Sequence, residues 1–150
     1  MDGGIRIFEL CESGEQYVSA INALLAQLSS NKAPFGMAEL EALVAAPATH
    51  LFILELNGAV VGMLTLCEYL APTGRKMWIE DVVVDSAVRG RSLGRALVEH
   101  AVDYAASLGN GLLMLTSRPS RVAANALYRS CGFEQRETNV YRMKLAGRNK

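Results

Sequence analysis

A loop rich in small and basic residues, numbered 85–96, lies between a predicted strand and a predicted helix. Gly90, Ser92 and Gly94 leave the backbone accessible, and the first N–H groups of a helix have no partner within it. The helix dipole and these N–H groups favour an anion, and arginine side chains add positive charge. The arginines of this loop are Arg89, Arg91 and Arg95. The pattern predicts binding of a diphosphate, with an ordinary strand-to-helix connection as the alternative.

Two adjacent acids, Glu80 and Asp81, precede an apolar run of three valines. Successive side chains of a strand point to opposite faces. Glu80 is therefore predicted to share a face with Val82 and Val84. Asp81 is predicted to share the other face with Val83. At least one acid should face a cleft, where a carboxylate accepts a proton more readily if burial raises its pKa. Pairing with an arginine or capping a backbone group is the alternative.

A competing motif occupies the same loop. Residues 90–94 read Gly-Arg-Ser-Leu-Gly and match the Gly-x-Ser-x-Gly turn that presents the nucleophile of serine hydrolases. That turn needs a tight strand-to-helix connection, but about five residues separate strand from motif here. The sole histidine downstream of Ser92 is His100, and Glu99 is the only acid between them. Both residues fall on the same predicted helix as Ser92. The spacing and order of these residues therefore argue against Ser92 as a nucleophile.

The spacing of apolar residues predicts the elements that must position these groups. Asn57-Gly58 between two apolar runs is typical of a hairpin turn with positive φ at both residues. A helix is predicted from a cap at Ser120 to about residue 130. The remaining predicted strands cover residues 5–10, 51–56, 59–70, 76–84, 112–116 and about 132–145, and the remaining predicted helices cover 14–30, 37–45 and 92–108. The alternation indicates an α/β domain.

Two segments resemble motifs of the GNAT acetyltransferase superfamily, in its bacterial form. Residues 89–97 resemble the family's Arg/Gln-x-x-Gly-x-Gly/Ala loop, which holds the pyrophosphate of CoA, and residues 79–84 look like its fourth strand. Residues 124–133 are similar to its Asn-x-x-Tyr-x-x-x-Gly-Phe segment. The resemblance implies one domain over residues 1–150, with a mixed, mostly antiparallel central sheet of about six to seven strands flanked by about four helices.

The resemblance implies acetyl-CoA as co-substrate and gives each matched residue a role. The backbone of Val82, Val83 and Val84 would bond the pantetheine arm. Asn125 would also contact that arm, and the loop residues Arg89, Gly90, Arg91, Ser92, Leu93, Gly94 and Arg95 would hold the pyrophosphate. Tyr128, a phenol with a pKa of about 10, would protonate the leaving thiolate. Glu80 is the predicted base, and Asp81 is the alternative base or a substrate contact.

Ser92 departs from the family pattern, because it stands where the family usually has its first glycine. If φ at this position is negative, the loop should tolerate serine. If φ is positive, serine lowers stability and puts the geometry of the loop in doubt.

Composition and charge argue against several other classes of function. The net charge is +0, which argues against nucleic-acid binding, yet residues 1–87 carry −7 and residues 88–150 carry +7. The chain has no apparent signal peptide or apolar stretch long enough to span a membrane, and it shows no metal-ligand spacing. Three cysteines without a close pair suit a reducing compartment, so we expect a cytoplasmic protein without a metal.

The sequence thus predicts an N-acetyltransferase that moves an acetyl group from acetyl-CoA to a primary amine by direct attack in a ternary complex. The acceptor stays open between a small metabolite, an amino sugar and a protein amine. The alternatives are a non-catalytic acyl-CoA-binding module and, less favoured, the serine hydrolase. Exposed sheet edges make a homodimer an expectation.

Overall fold

A computed structural model describes residues 4–28 and 34–147. Within these ranges the chain forms five strands, four α-helices and one 3-10 turn. The strands are β1 Ile5–Glu9, β2 Thr49–Leu56, β3 Ala59–Ala71, β4 Gly74–Val84 and β5 Leu112–Met114. The helices are α1 Glu15–Leu28, α2 Met37–Ala45, α3 Leu93–Ser107 and α4 Val122–Ser130, and the 3-10 turn is Ser86–Val88.

The strands form one mixed sheet in the order β1-β2-β3-β4-β5. The first three pairings are antiparallel, and β5 runs parallel to β4. The predicted hairpin turn is confirmed, because Asn57 and Gly58 join β2 to β3 with φ values of 52° and 84°.

Two apolar clusters cover the two faces of the sheet. On one face, α1 and α2 pack on the sheet through Ile21, Leu24 and Leu40, which are almost fully buried. On the other face, α3 packs through a stripe at helical spacing that includes Leu97 and Ala101. The cluster in which a β4 side chain is buried therefore shows which face of the sheet that side chain occupies.

The α/β class and the mixed sheet are confirmed, but two details of the prediction are wrong. The β segment predicted over about 132–145 is absent, since residues 133–147 have no regular secondary structure, and the described sheet has five strands rather than six to seven. A strand needs a pairing partner, and the three-residue β5 offers only a short edge. The N-cap of α4 is Arg121 rather than Ser120, because a turn that bonds Arg121 N–H to Arg118 carbonyl precedes it.

Among the residues that the structure describes, no helix is long and apolar enough to cross a membrane.

Candidate active site

A β-bulge lies in the middle of β4. Met63 of β3 pairs with Val83, but Thr65 pairs with Glu80, so Asp81 and Val82 together oppose the single residue Leu64. Asp81 has a φ of 51°, in the left-handed region that few non-glycine residues adopt. Aspartate tolerates this conformation better than most side chains do. The bulge changes which faces the neighbouring side chains occupy.

The bulge puts both carboxylates on the α1/α2 face of the sheet. Ile79 belongs to the cluster under α3, so Glu80, the next residue, points to the opposite face. Asp81 lines a cavity on that same opposite face. Val82 packs with the cluster under α3. The prediction that Glu80 shares a face with Val82 and Val84 is therefore wrong, because strict alternation fails across an extra residue.

The cavity beside Asp81 is partly open and has a volume of about 70 Å³. Apart from Asp81 and Thr65, the lining of the cavity is apolar. It comes from α1, α2, β2 and β3, and from Phe35, which precedes α2. The apolar lining residues are Ile21, Leu25, Phe35, Leu43, Leu51 and Met63. One carboxylate at an apolar cavity suits a group that is positively charged at one end.

Burial and charge perturb the acids of this face. Burial raises the pKa of Glu80 above its usual range, and the neighbouring Asp81 carboxylate raises it further. Burial also raises the pKa of the Cys67 thiol, while a hydrogen bond with Thr49 lowers it and both carboxylates raise it. Within the described residues, neither Glu80 nor Asp81 forms an ion pair. A carboxylate with a raised pKa and no fixed partner is suited to accept a proton.

The second half of β4 has an open edge. β5 pairs with β4 only between residues 76–78 and 112–114. Beyond Trp78, no described strand pairs with the side of β4 that faces β5, although β3 continues along the other side. The backbone of Val82, Val83 and Val84 can thus accept an extended ligand as an additional strand does.

The predicted anion loop follows this open edge. Asp85 caps the 3-10 turn by accepting a hydrogen bond from Ala87 N–H at 3.0 Å. Gly90 has a φ of 89°, and Ser92, the N-cap of α3, has a φ of 57° without a side-chain cap bond. The first bond of α3 runs from Ala96 N–H to Ser92 carbonyl, so the N–H groups before it have no helical acceptor.

The three arginines of the loop have different surroundings. Arg89 and Arg91 are exposed, and neither forms an ion pair in the described part of the chain. Arg95 instead turns toward α4, where its Nη1 donates to Ser130 Oγ at 2.9 Å and Cys131 Sγ at 3.5 Å. Its Nε lies 3.2 Å from a Glu99 carboxylate oxygen. Arg95 is therefore placed to tie α3 to α4, and its predicted contact with pyrophosphate stays a prediction.

Gly94 marks the point where β4, α3 and α4 meet. A Cβ built on Gly94 would lie 3.5 Å from Leu127 of α4 and 4.0 Å from Val84 of β4. Leu93, beside it, is buried in the cluster under α3. The end of the open edge, the loop and the helix that carries Tyr128 are thus neighbours.

Tyr128 lies on α4 and packs against Phe133, with ring centroids 6.1 Å apart and an interplanar angle of 70°. Burial raises the pKa of Tyr128 above its usual value, with Arg121 opposing the shift. Within the described residues, the Tyr128 hydroxyl makes no hydrogen bond, and its oxygen is not fully buried. A protonated, accessible phenol is suited to donate a proton.

Asn125 supports α4 from within the chain. Its amide nitrogen donates to the carbonyl oxygens of Arg118 and Arg121, each at 2.9 Å. Both amide protons have thus found backbone acceptors in the turn before α4. The amide oxygen remains available, so a contact with the pantetheine arm stays a prediction.

The geometry does not support the hydrolase alternative. Ser92 and His100 are eight residues apart on one helix, which separates them by about 12 Å along the axis. His100 instead packs edge-on against Phe52, with ring centroids 5.1 Å apart. A serine nucleophile and its base must lie within hydrogen-bond reach.

Two further residues carry features that the sequence analysis did not predict. Gln27, near the end of α1, bonds with Asp85 and Ser86 at the start of the anion loop. Ser117, after β5, has a buried hydroxyl without a hydrogen-bond partner among the described residues. Neither belongs to a motif, and the contact between Gln27 and Asp85 joins residues 58 positions apart. No signal in a single sequence would have found them.

Comparison with known proteins identifies the family. The profile described as the Acetyltransferase (GNAT) family matches residues 18–133. Glucosamine 6-phosphate N-acetyltransferase 1 of Oryza sativa is 29% identical over 143 residues, covering 91% of this chain and 84% of the relative. N-alpha-acetyltransferase RimI of Mycobacterium tuberculosis is 30% identical over 112 residues, covering 75% of this chain and 69% of the relative. The crystal structure of glucosamine-6-phosphate N-acetyltransferase from Arabidopsis thaliana shares the fold, with a TM-score of 0.74 at 23% identity, covering 93% of this chain and 97% of that one.

An open edge at β4 that leads into a basic loop at a helix N-terminus suits an extended, phosphorylated ligand. The chain belongs to the acetyltransferase (GNAT) family and is an acetyl-CoA-dependent N-acetyltransferase. This finding confirms the resemblance and the enzyme class that the sequence predicted, while its assignment to a bacterial type stays a prediction.

Proposed function

We propose that this enzyme transfers the acetyl group of acetyl-CoA to a primary amine by direct attack in a ternary complex. The observation that carries the proposal is the open edge of β4, which runs from the perturbed carboxylate Glu80 to the anion loop at α3. An extended acyl donor on that edge would have its phosphates at the loop and its thioester near the acids.

On the donor side, the described residues fit CoA. The N–H groups of residues 90–94, together with the exposed arginines Arg89 and Arg91, suit a pyrophosphate. The backbone of Val82, Val83 and Val84 suits the two amides of the pantetheine arm. Arg95 and Asn125 contribute by holding α3 and α4 in place. The co-substrate supplies an acetyl thioester, whose carbonyl carbon is the electrophile.

Glu80 acts as the base in this proposal. An amine enters mainly as an ammonium, which has no lone pair, so it must lose a proton before the nitrogen attacks the carbonyl carbon. The raised pKa of Glu80 makes its carboxylate a stronger base and so better able to accept the ammonium proton. Asp81 assists by holding the positive charge of the incoming ammonium at the cavity.

Tyr128 acts as the acid. As the bond between nitrogen and carbon forms, the bond between carbon and sulfur breaks and leaves a thiolate. The Tyr128 hydroxyl donates its proton to that sulfur, and burial keeps the phenol protonated at neutral pH. The attacking nitrogen still carries one proton more than the amide product, and this proton passes to the tyrosinate and restores the phenol. Glu80 releases the ammonium proton to solvent after the products leave.

The acceptor enters from the α1/α2 face, at the cavity beside Asp81. The names of two relatives describe different acceptors: glucosamine 6-phosphate for the rice protein and α-amino groups for the mycobacterial one. Both are primary amines, so the proposal keeps small metabolites, amino sugars and protein amines as candidate acceptors.

We also propose a cytoplasmic homodimer. Free cysteines at Cys11, Cys67 and Cys131 suit a reducing compartment. Four large apolar side chains of the C-terminal segment are exposed, and a second copy would cover them. They are Val140, Tyr141, Met143 and Leu145.

The test is a panel of amines assayed by release of free CoA thiol. The panel includes amino sugars, phosphorylated amino sugars, polyamines and short peptides with free N-termini. We expect at least one amine to release thiol, with initial-velocity lines that intersect when both substrates are varied. Parallel lines would contradict direct transfer. Acetyl-CoA binding without thiol release for every amine class would favour the non-catalytic module instead.

A further inference from the structure

The side chain of Gln27 joins α1 to the start of the anion loop. Its amide nitrogen donates to Asp85 Oδ1 at 3.2 Å, and its amide oxygen accepts from Ser86 N–H at 2.9 Å. The Gln27 amide thus donates to the side chain of Asp85 and accepts from the backbone of the next residue, Ser86. This double contact fixes the position of residues 85–86 relative to α1.

Asp85 is itself held from several directions. Its N–H donates to Val61 carbonyl on β3 at 2.7 Å, and its Oδ1 also accepts from Ala87 N–H at 3.0 Å. The bond from Ala87, then the bond from Gln27 and the charge of Arg89, lower the pKa of Asp85. The carboxylate is therefore a fixed acceptor, and Gln27 is the partner that comes from outside the loop.

The position of Gln27 along α1 connects two parts of the enzyme. Ile21 and Leu25, earlier in the same helix, line the cavity on the acceptor side. Asp85 and Ser86 lie at the beginning of the segment that leads to Arg89 and Gly90. A displacement of the end of α1 would thus be transmitted to the loop through Gln27.

We infer that Gln27 is a positioning residue for the acetyl-CoA loop, a role that rests on the function proposed above. Its amide sets the start of the loop so that the N–H groups before α3 and the side chain of Arg89 converge. The contact is exposed, so its loss should change stability little. The effect should fall on the affinity for acetyl-CoA, and on KM for acetyl-CoA rather than kcat.

The experiment compares four variants with the wild type by calorimetric titration of acetyl-CoA and by steady-state kinetics. Gln27→Ala removes both bonds, and Gln27→Glu places a carboxylate against Asp85. The double variant Gln27→Glu with Asp85→Asn exchanges donor and acceptor, because an asparagine amide can donate to the new glutamate. Gln16→Ala, at an exposed glutamine in the same helix, is the matched control.

We expect Gln27→Ala to raise the dissociation constant for acetyl-CoA by about three- to tenfold, as for the loss of one or two exposed hydrogen bonds. Gln27→Glu should weaken binding further through repulsion between carboxylates. The double variant should recover most of the affinity, and Gln16→Ala should match the wild type. Recovery on exchange is a signature that general damage to α1 would not produce.

Three results would overturn the inference: unchanged affinity in Gln27→Ala and Gln27→Glu, no recovery in the double variant, or a fall in kcat with unchanged KM. A wild-type protein that binds no acetyl-CoA would instead overturn the proposed function, so the two failures are distinguishable.

Discussion

The left-handed backbone of Asp81 is a feature of one residue with consequences for the chemistry. Because Asp81 and Val82 together oppose Leu64, the strand turns Glu80 and Asp81 toward the same face. Two carboxylates on one face repel each other, which contributes to the raised pKa of Glu80. The bulge thus brings the proposed base and the proposed ammonium contact to the same face of the sheet.

The coupling between these acids predicts a shift in the pH profile. Glu80 must be deprotonated to act as a base, so the acid limb of kcat/KM follows its pKa. Burial raises that pKa most and Asp81 raises it further, so Asp81→Asn should lower it and move the limb to lower pH. The profile should be measured on a competent amine, comparing the position of the limb and not its height. A limb that stays in place or moves to higher pH would contradict the coupling.

Removal of the Tyr128 hydroxyl should slow the chemical step. Tyr128→Phe keeps the packing against Phe133 but cannot donate a proton to the thiolate. We expect kcat to fall by about a hundredfold, the lower range for loss of a general acid, with little change in KM for acetyl-CoA. Steady-state kinetics checks this, with Tyr104→Phe on the far part of α3 as the matched control. An unchanged kcat, in a regime where chemistry limits the rate, would argue against Tyr128 as the acid.

At the scale of elements, the start of α3 carries a strained residue. Ser92 adopts a φ of 57° and its side chain makes no cap bond, so the serine gives up stability without a compensating contact. Ser92→Gly should therefore be neutral or raise the free energy of unfolding by up to about 1 kcal/mol. Ser92→Val should lower it, since a β-branched side chain is worse at positive φ. Urea denaturation measures both, and a stable Ser92→Val would contradict the strain.

A second element-scale feature holds the edge of the sheet together. His50 of β2 lies between Glu9 of β1, at 2.8 Å from Nδ1, and Glu68 of β3, at 3.1 Å from Nε2. Tyr104 of α3 also contacts Nδ1, at 3.3 Å. One imidazole thus links three strands and a helix.

Replacing this histidine should destabilise the fold. His50→Leu removes the donor between two partly exposed carboxylates and leaves Glu68 with the longer contact to Arg75, at 3.9 Å. This loss should lower the free energy of unfolding by about 1–3 kcal/mol. Adding Glu9→Gln should recover part of the loss by removing one charge. His100→Leu, which loses only packing against Phe52, is the control and should have a smaller effect. Equal losses in the two histidine variants would refute the linking role of His50.

Most elements could be predicted because their signals are local. The Asn57-Gly58 hairpin, the helical stripe of α3 and the small-residue loop each follow from short-range chemistry. The bulge could not be predicted, since it depends on which residue of β3 faces Asp81. The predicted cap at Ser120 was wrong because Arg118 and Asn125 form hydrogen bonds that fix the turn before α4. The contact of Gln27 with Asp85 depends on tertiary packing alone.

At the scale of the whole molecule, the net charge of zero is the sum of two halves with opposite net charge. The half of the chain with net charge −7 supplies β1 to β4, α1, α2 and the acids Glu80 and Asp81. The half with net charge +7 begins at the anion loop and supplies α3, β5 and α4. An acidic acceptor side suits an ammonium and a basic donor side suits a phosphorylated co-substrate. The charge asymmetry in the sequence is therefore consistent with the proposed donor and acceptor sides.

The last segment of the chain departs from the sequence prediction at this scale. A β segment was predicted over about 132–145, but within the described residues no strand pairs with it, and its apolar side chains are exposed. A strand is defined by its partner, which a single sequence does not specify. That residues 1–150 form one domain, and that two copies associate, stay predictions.

Thermal denaturation with and without acetyl-CoA tests the central claim, that the open edge of β4 and the loop at α3 hold this co-substrate. At a hundred times its dissociation constant the ligand should stabilise the fold by about 2.7 kcal/mol. Tm should rise by several degrees with acetyl-CoA and should not change with AMP at the same concentration. No rise with acetyl-CoA at saturating concentration, or an equal rise with AMP, would contradict it.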